Sequence, residues 1–328
     1  MARLLHNWSS AAAGARQTQG VLVYRILACD GGGIRGVIAA VILERIERAV
    51  PGWLDRVDLI AGTSTGGVIA LALAAGIEPA VVRRMYVEQG SSIFQDSPVR
   101  HALNLGRTVG AQYRNSHLIE LLKAMFGMSR LKELKKRVLV PAFDLDNGER
   151  RRRQRSWKPK FFHNFPGNDS DGNALVWKVA MATSAAPTYF PSFEGYIDGG
   201  VVANNPSMAA VAQAMDTRSR RGQRLEDIAL ISLGTGHSPA FIPGNRHDWG
   251  IAQWGRPVVD IMVDGVMGVA DYQCRQILRG RYCRIDPTLA RPWRLDDINA
   301  VKDMVTCATQ ADIGAALRWL KKQWARSD

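Results

Sequence analysis

Residues 59–77 carry no charge over 19 positions, yet the middle of the run is the polar, glycine-rich stretch Gly62-Thr63-Ser64-Thr65-Gly66-Gly67. The run is long enough to cross a bilayer, but a turn of this kind at its centre breaks a spanning helix. What remains is a buried strand over residues 57–61, a tight turn, and a helix over residues 66–75 that is apolar nearly all round and therefore central. Ser64 sits at the apex of that turn. Gly62-Thr63-Ser64-Thr65-Gly66 fits the pattern Gly-x-Ser-x-Gly in the context it requires, with an apolar strand before it and an apolar helix after it. A serine at such an apex is held in a strained conformation, and glycines two residues to either side let the backbone close around it. The helix N-terminus aims unpaired N–H groups and a positive dipole end at any negative charge developing there. These are the conditions of a nucleophile; the plain alternative is a glycine-rich connection that happens to contain a serine.

The neighbouring segments repeat the alternation. Residues 21–28 are a short apolar, β-prone run ending at Asp30-Gly31-Gly32-Gly33-Ile34-Arg35-Gly36. A helix over residues 37–50 follows, with Ile38, Val41, Ile42, Ile46 and Ala49 on one face and Glu44, Glu47 and Arg48 turned away, stopped by Pro51-Gly52. Buried strands are also expected over residues 138–143 and 228–233. Strands without internal polar alternation, separated by helices, predict a three-layer α/β/α fold with a mostly parallel central sheet. Near the end, Thr309-Gln310-Ala311-Asp312 reads as a capping box opening a helix with Ile313, Ala316, Leu317, Leu320 and Trp324 on one stripe. With no internal repeat and no linker, residues 21–328 are expected to form one domain with a helical C-terminal part, after an irregular arm over residues 1–20.

The Asp30–Gly36 loop falls between the first strand and the first helix, at the same sheet edge as Ser64. Gly31, Gly32 and Gly33 can present successive N–H groups to an anion, as in an oxyanion hole or phosphate cradle. A dinucleotide loop fits less well, because the run is not Gly-x-Gly-x-x-Gly and no acidic residue ends the second strand. A serine nucleophile needs a base. Chain order allows His237 or His247 in a Ser-His-Asp arrangement, although no motif surrounds either. Asp198, in Asp198-Gly199-Gly200, reads alone as an ordinary Asp-Gly turn.

Taken together, Asp30–Gly36, Gly62–Gly67 and Asp198–Gly200, with Thr183-Ser184-Ala185-Ala186-Pro187 and Asn204-Asn205-Pro206, resemble the patatin-like phospholipase family. The resemblance implies a patatin-like fold and a phospholipase A-type lipid acyl hydrolase acting on membrane phospholipid without a metal or organic cofactor. It makes Ser64 the nucleophile, flanked by Gly62 and Gly66, and Asp198 its direct base in a Ser-Asp dyad. It places Gly31, Gly32, Gly33 and Arg35 in the oxyanion hole. A carboxylate of ordinary pKa is a feeble base for a hydroxyl, so Asp198 has to be buried to serve. A Ser-His-Asp carboxylesterase and a non-catalytic lipid- or phosphate-binding module are the competing readings.

Charge adds a second expectation: 43 Lys and Arg against 30 Asp and Glu leave +13 at pH 7, a surface that attracts polyanions. No nucleic-acid-binding module accompanies it, so a nucleic-acid polymer is not an expected partner. Arg150, Arg151, Arg152, Arg153 and Arg155, followed by Trp157, form either a solvated loop or a docking patch for lipid phosphates at the membrane surface. Residues 237–256, with Trp249 and Trp254, read as a flap near the lipid entrance or as an ordered surface loop, with a helix beginning at Pro257. Residues 266–289 resemble the tail of bacterial and plant-like patatins. Some bacterial members of that family are anti-phage effectors switched on by a cyclic oligonucleotide, which adds a cyclic nucleotide activator to the expectations. Cys29, Cys274, Cys283 and Cys307 lack disulfide or zinc spacing and read as reduced thiols of a cytoplasmic protein touching membranes peripherally.

Overall fold

The computed structural model describes residues 23–94, 110–218 and 222–324; the arm expected over residues 1–20 lies outside them. The seven-stranded sheet runs β4(Lys158–His163), β3(Arg137–Asp144), β2(Leu59–Gly62), β1(Tyr24–Cys29), β6(Ile228–Leu233), β7(Tyr282–Ile285), with β5(Tyr196–Asp198) paired to β3. β3, β2, β1, β6 and β7 are mutually parallel, and only β4 and β5 run against them. Every residue of β2 and β6 is buried, as continuous apolar strands covered on both faces must be.

Side chains alternate between the two faces. Leu27 and Cys29 of β1 pack with α1(Gly36–Ala49), α2(Thr65–Ala75), α3(Pro79–Ile93), α4(Asn115–Phe126) and α5(Val176–Ser184), while Ile26 and Ala28 face α7(Ser207–Met215) and α8(Ile251–Leu278). The result is an α/β fold with a mostly parallel central sheet between helical layers. α6(Gly200–Ala203) is a single turn, and α9(Val301–Gln310) and α10(Gly314–Gln323) close the chain over the face that holds α1. Residues 59–77 are the expected strand, turn and helix, and among the described residues no helix is long and apolar enough to cross a membrane.

Local details differ from the sequence reading in three places. Ala49 is exposed, because α1 ends there and its last turn overhangs the core. Thr309 does not cap α10: it lies in the last turn of α9, where its Oγ1 donates back to the Val305 carbonyl, and Ile313 is the N-cap. The stripe it was expected to introduce is present, with Ile313, Ala316, Leu320 and Trp324 all buried. Finally, α8 starts at Ile251 and not at Pro257, so proline occupies its second turn; the lost i−4 hydrogen bond falls near the helix start.

Candidate active site

β3 is the ruler on which the site is laid out. Its first half pairs with β2, Leu59 to Ala61 against Arg137 to Leu139, and its second half with β5, Ala142 against Asp198. The chain leaving β2 therefore meets the chain leaving β5 head to head on one side of β3. Ser64 is at the end of the first and Asp198 at the end of the second. The Ser64 hydroxyl donates to Asp198 Oδ2 at 2.6 Å.

Ser64 has φ +54° and ψ −123°, a conformation that costs a non-glycine residue about 1–3 kcal/mol and persists only where the surroundings impose it. They do so here. A Cβ on Gly62 would lie 2.0 Å from the Gly66 carbonyl oxygen, and one on Gly66 would lie 2.2 Å from that of Cys29. The turn is thus pressed backbone to backbone against β1 and the loop beyond it. The Ser64 N–H donates to Thr183 Oγ1 at 2.9 Å, and that hydroxyl donates to the Pro141 carbonyl at 2.5 Å. Thr63 Oγ1 donates to the Ala203 carbonyl at 2.6 Å. Thr183 belongs to a motif that the sequence singled out without a role; its place is to tie the Ser64 turn to β3.

Asp198 is buried, and burial pushes its pKa up from 3.8 to about 6 against the opposing pull of the Ser64 hydroxyl and the Gly200 N–H, which donates to Oδ1 at 2.7 Å. A carboxylate near 6 is a better proton acceptor for a hydroxyl than an exposed one and remains ionised at neutral pH.

The glycine loop is held above the serine by bonds from distant elements. Asp30 N–H donates to the Leu233 carbonyl, Gly31 N–H to that of Asn204, Ile34 N–H to that of Leu295, and Thr235 Oγ1 to the Gly31 carbonyl. The amide of Gly31 is consequently spent on the fold, which removes it from the expected set of oxyanion donors. Among the described residues the N–H groups of Gly32 and Gly33 have no protein acceptor, and both residues line the cavity over Ser64. Thr65, as the first residue of α2, also lacks an intrahelical acceptor for its N–H. Arg35 lines the same cavity, half-buried, and among the described residues its side chain bonds the Gly236 carbonyl alone, at 3.5 Å; burial lowers its pKa from the usual arginine range.

Behind the loop, the buried Arg284 bridges Asp30 at 2.7 Å and Asp286 at 2.9 Å and donates to Ser232 Oγ at 2.8 Å, while Asp286 Oδ1 accepts the Gly236 N–H. Arg284 is held firmly charged by Asp30 and Asp286 despite its burial. This brace was invisible in the sequence.

The cavity measures about 1500 Å³. Val68, Met85, Ile93, Phe94, Leu118 and Leu122 contribute an apolar wall from α2, α3 and α4, and Arg35, His237, Asp260, Asp264 and Asp286 a polar one. Neither histidine of the alternative reading partners the serine. His237 is exposed, with Nδ1 at 3.5 Å from Asp286 and Nε2 at 3.3 Å from Thr288 Oγ1, and His247 bonds the Pro243 carbonyl and packs on Trp249 and Trp254. The last six residues of the expected flap are helical, the first turns of α8. Arg150 to Arg153 are exposed on the β3–β4 connection, whereas Arg155 is paired with Asp146 and shapes that loop.

Comparison with known proteins matches residues 27–211 to the family model described as patatin-like phospholipase. The chain is 31% identical to a cGAMP-activated phospholipase of Pseudomonas aeruginosa over 88% of this chain and 86% of that one. It is 34% identical to a cGAMP-activated phospholipase of Escherichia coli over 70% and 69% of the two chains. It is 29% identical to patatin-like protein 2 of Arabidopsis thaliana over 94% and 85%.

Proposed function

The chain belongs to the patatin-like phospholipase family, and from that premise we propose that it hydrolyses fatty-acyl esters of membrane phospholipids with Ser64 as nucleophile and Asp198 as its only base. The observation that carries this reading is the 2.6 Å bond between a strained, cavity-facing serine and a buried carboxylate, with no histidine among the described residues bonded to either. As Ser64 Oγ attacks the ester carbonyl, its proton passes to Asp198 Oδ2. The oxyanion accepts hydrogen bonds from the Gly32 and Gly33 amides, with Arg35 adding positive charge; each well-aimed donor is worth about 3 kcal/mol. Collapse expels the lysophospholipid alkoxide, which takes the proton from Asp198 and leaves an acyl-enzyme. Water then attacks, gives a proton to Asp198, and the fatty acid departs as that proton returns to Ser64. The apolar wall from α2, α3 and α4 accommodates the acyl chain.

Arg150 to Arg153 leave the sheet at the C-terminal end of β3, the edge that holds Ser64, so their charge and the exposed Trp157 face the same way as the chemistry. Docking on lipid phosphates from the cytoplasm suits that placement. Activation by a cyclic dinucleotide rests on the likeness to the two cGAMP-activated relatives. Fatty-acid release from mixed phospholipid vesicles, with and without added cGAMP, tests both parts. Release that depends on Ser64 supports the hydrolase; an increase on adding cGAMP supports the switch, and equal rates remove it.

A further inference from the structure

Over residues 258–272, helix α8 turns an uncharged apolar stripe to water. Its 28 residues extend about 42 Å at 1.5 Å per residue, roughly twice the length of the six-residue β6 beside it. Among the described residues its buried side chains fall towards its C-terminus, where Ala270, Cys274 and Leu278 recur every fourth residue, and above them Met267 meets the Asn204 side chain. None of the described side chains from Gln253 to Val269 is buried. Because α8 follows β6, this loosely held part lies at the sheet edge that carries Ser64, and it rims the cavity.

Asp260, Asp264, Asp271 and Arg275 fall on one face of α8 and line the cavity, together with Val263 and Met267, so the charges of this part of the helix gather on the cavity side. The opposite face presents Val258, Ile261, Met262, Gly265, Val269 and Tyr272, spaced i, i+3, i+4, i+7, i+11 and i+14, with no charge among them. The large residues of this face are exposed, Met262 by 61%, Val269 by 56% and Tyr272 by 65%. A surface helix ordinarily buries its apolar stripe and shows its charges to water. Phe241, 85% exposed on the connection that leads from the cavity rim into α8, enlarges the apolar surface.

We propose that this outer face of α8, together with Phe241, is the surface by which the protein seats itself in a lipid bilayer, at the boundary of headgroups and acyl chains. The proposal rests on the phospholipase reading, because a substrate embedded in a bilayer requires the cavity mouth to meet the bilayer. α8 is the rim of that mouth, so its outer face is continuous with the entrance. Arg150 to Arg153, leaving the same sheet edge, supply cations for the headgroup phosphates, the pairing of apolar insertion with basic charge that gives stable interfacial binding.

The test is the double variant Met262→Asn/Val269→Asn, with Tyr272→Asn as a separate second variant. Both change exposed positions and should leave thermal unfolding unchanged. Co-flotation with phosphatidylcholine–phosphatidylglycerol vesicles, fatty-acid release from them, hydrolysis of a water-soluble short-chain ester, and light scattering are measured in parallel. The double variant is expected to lose about tenfold in vesicle binding and vesicle turnover while hydrolysing the soluble ester within about twofold of wild type. Unchanged vesicle binding overturns the proposal. So does an equal loss on the soluble ester, which assigns the face to catalysis, or dissociation of a wild-type oligomer, which assigns it to a second copy. Wild type that floats with vesicles yet releases no fatty acid even with cGAMP added contradicts the phospholipase reading and leaves the docking result standing by itself.

Discussion

Replacing Asp198 by asparagine is expected to abolish turnover and to stabilise the fold in the same step. Among the described residues the buried, ionised carboxylate has two donors, the Ser64 hydroxyl and the Gly200 N–H, and these do not compensate for the water it gave up. Its pKa rises from 3.8 to about 6 on folding. Two pH units correspond to about 3 kcal/mol by which the native state is disfavoured at neutral pH relative to an unfolded chain with an ordinary aspartate. Asparagine has the same shape, accepts the Gly200 N–H through its oxygen and meets Ser64 with its amide, but has no charge to desolvate. The variant should therefore unfold about 2–3 kcal/mol later than wild type at pH 7.5. The sign with pH follows from the raised pKa. The wild-type penalty is complete above pH 6, shrinks as native Asp198 takes up its proton, and is gone below about pH 4, where the unfolded chain is protonated too. Urea unfolding of both proteins in steps from pH 7.5 to 4.5 measures the gap. A gap that stays constant with pH, or an asparagine variant less stable than wild type at pH 7.5, refutes the assignment of Asp198 as a desolvated base.

The same carboxylate fixes the activity profile: kcat/KM for a soluble ester should rise about tenfold per pH unit up to about 6 and level off above it, because only ionised Asp198 accepts the Ser64 proton. Gly66→Ala places a methyl 2.2 Å from the Cys29 carbonyl oxygen and 2.6 Å from that of Asp30, neither of which is a movable side chain, so a loss of about 3 kcal/mol or more is expected in thermal or urea unfolding. Arg284→Met strips the buried Asp30 carboxylate of its counter-ion, with an expected cost of about 3–5 kcal/mol; unchanged stability would show that the brace beneath the glycine loop does not matter.

Much of the sheet was legible because strands covered on both faces are nearly apolar throughout, and residues 59–61, 138–143 and 228–233 have no other use for such composition; Asp58, included in the expected strand, lies just before β2. Ser64 was legible for a related reason, since the geometry of its turn is local and demands glycine on either side. Asp198 was not legible from local pattern. β5 is three residues long, too short to show a period, and its position comes from pairing with Ala142 of β3, 56 residues earlier in the chain. Recognition of the motif set supplied what periodicity did not. The fate of the Gly31 amide depends on Asn204, and the brace under Asp30 on Arg284 across 254 residues, so neither was visible in a local window. Thr309 illustrates the opposite error: the sequence pattern of a cap was present, but the preceding helix claimed the residue first.

Fatty-acid release from mixed phospholipid vesicles by wild type, Ser64→Ala, Asp198→Asn and His237→Ala, each verified as folded, tests the dyad most directly. Release by wild type and His237→Ala, with silence from both Ser64→Ala and Asp198→Asn, is the predicted outcome. Retention of wild-type rate by Asp198→Asn, with loss in His237→Ala, contradicts it and returns the base to a histidine.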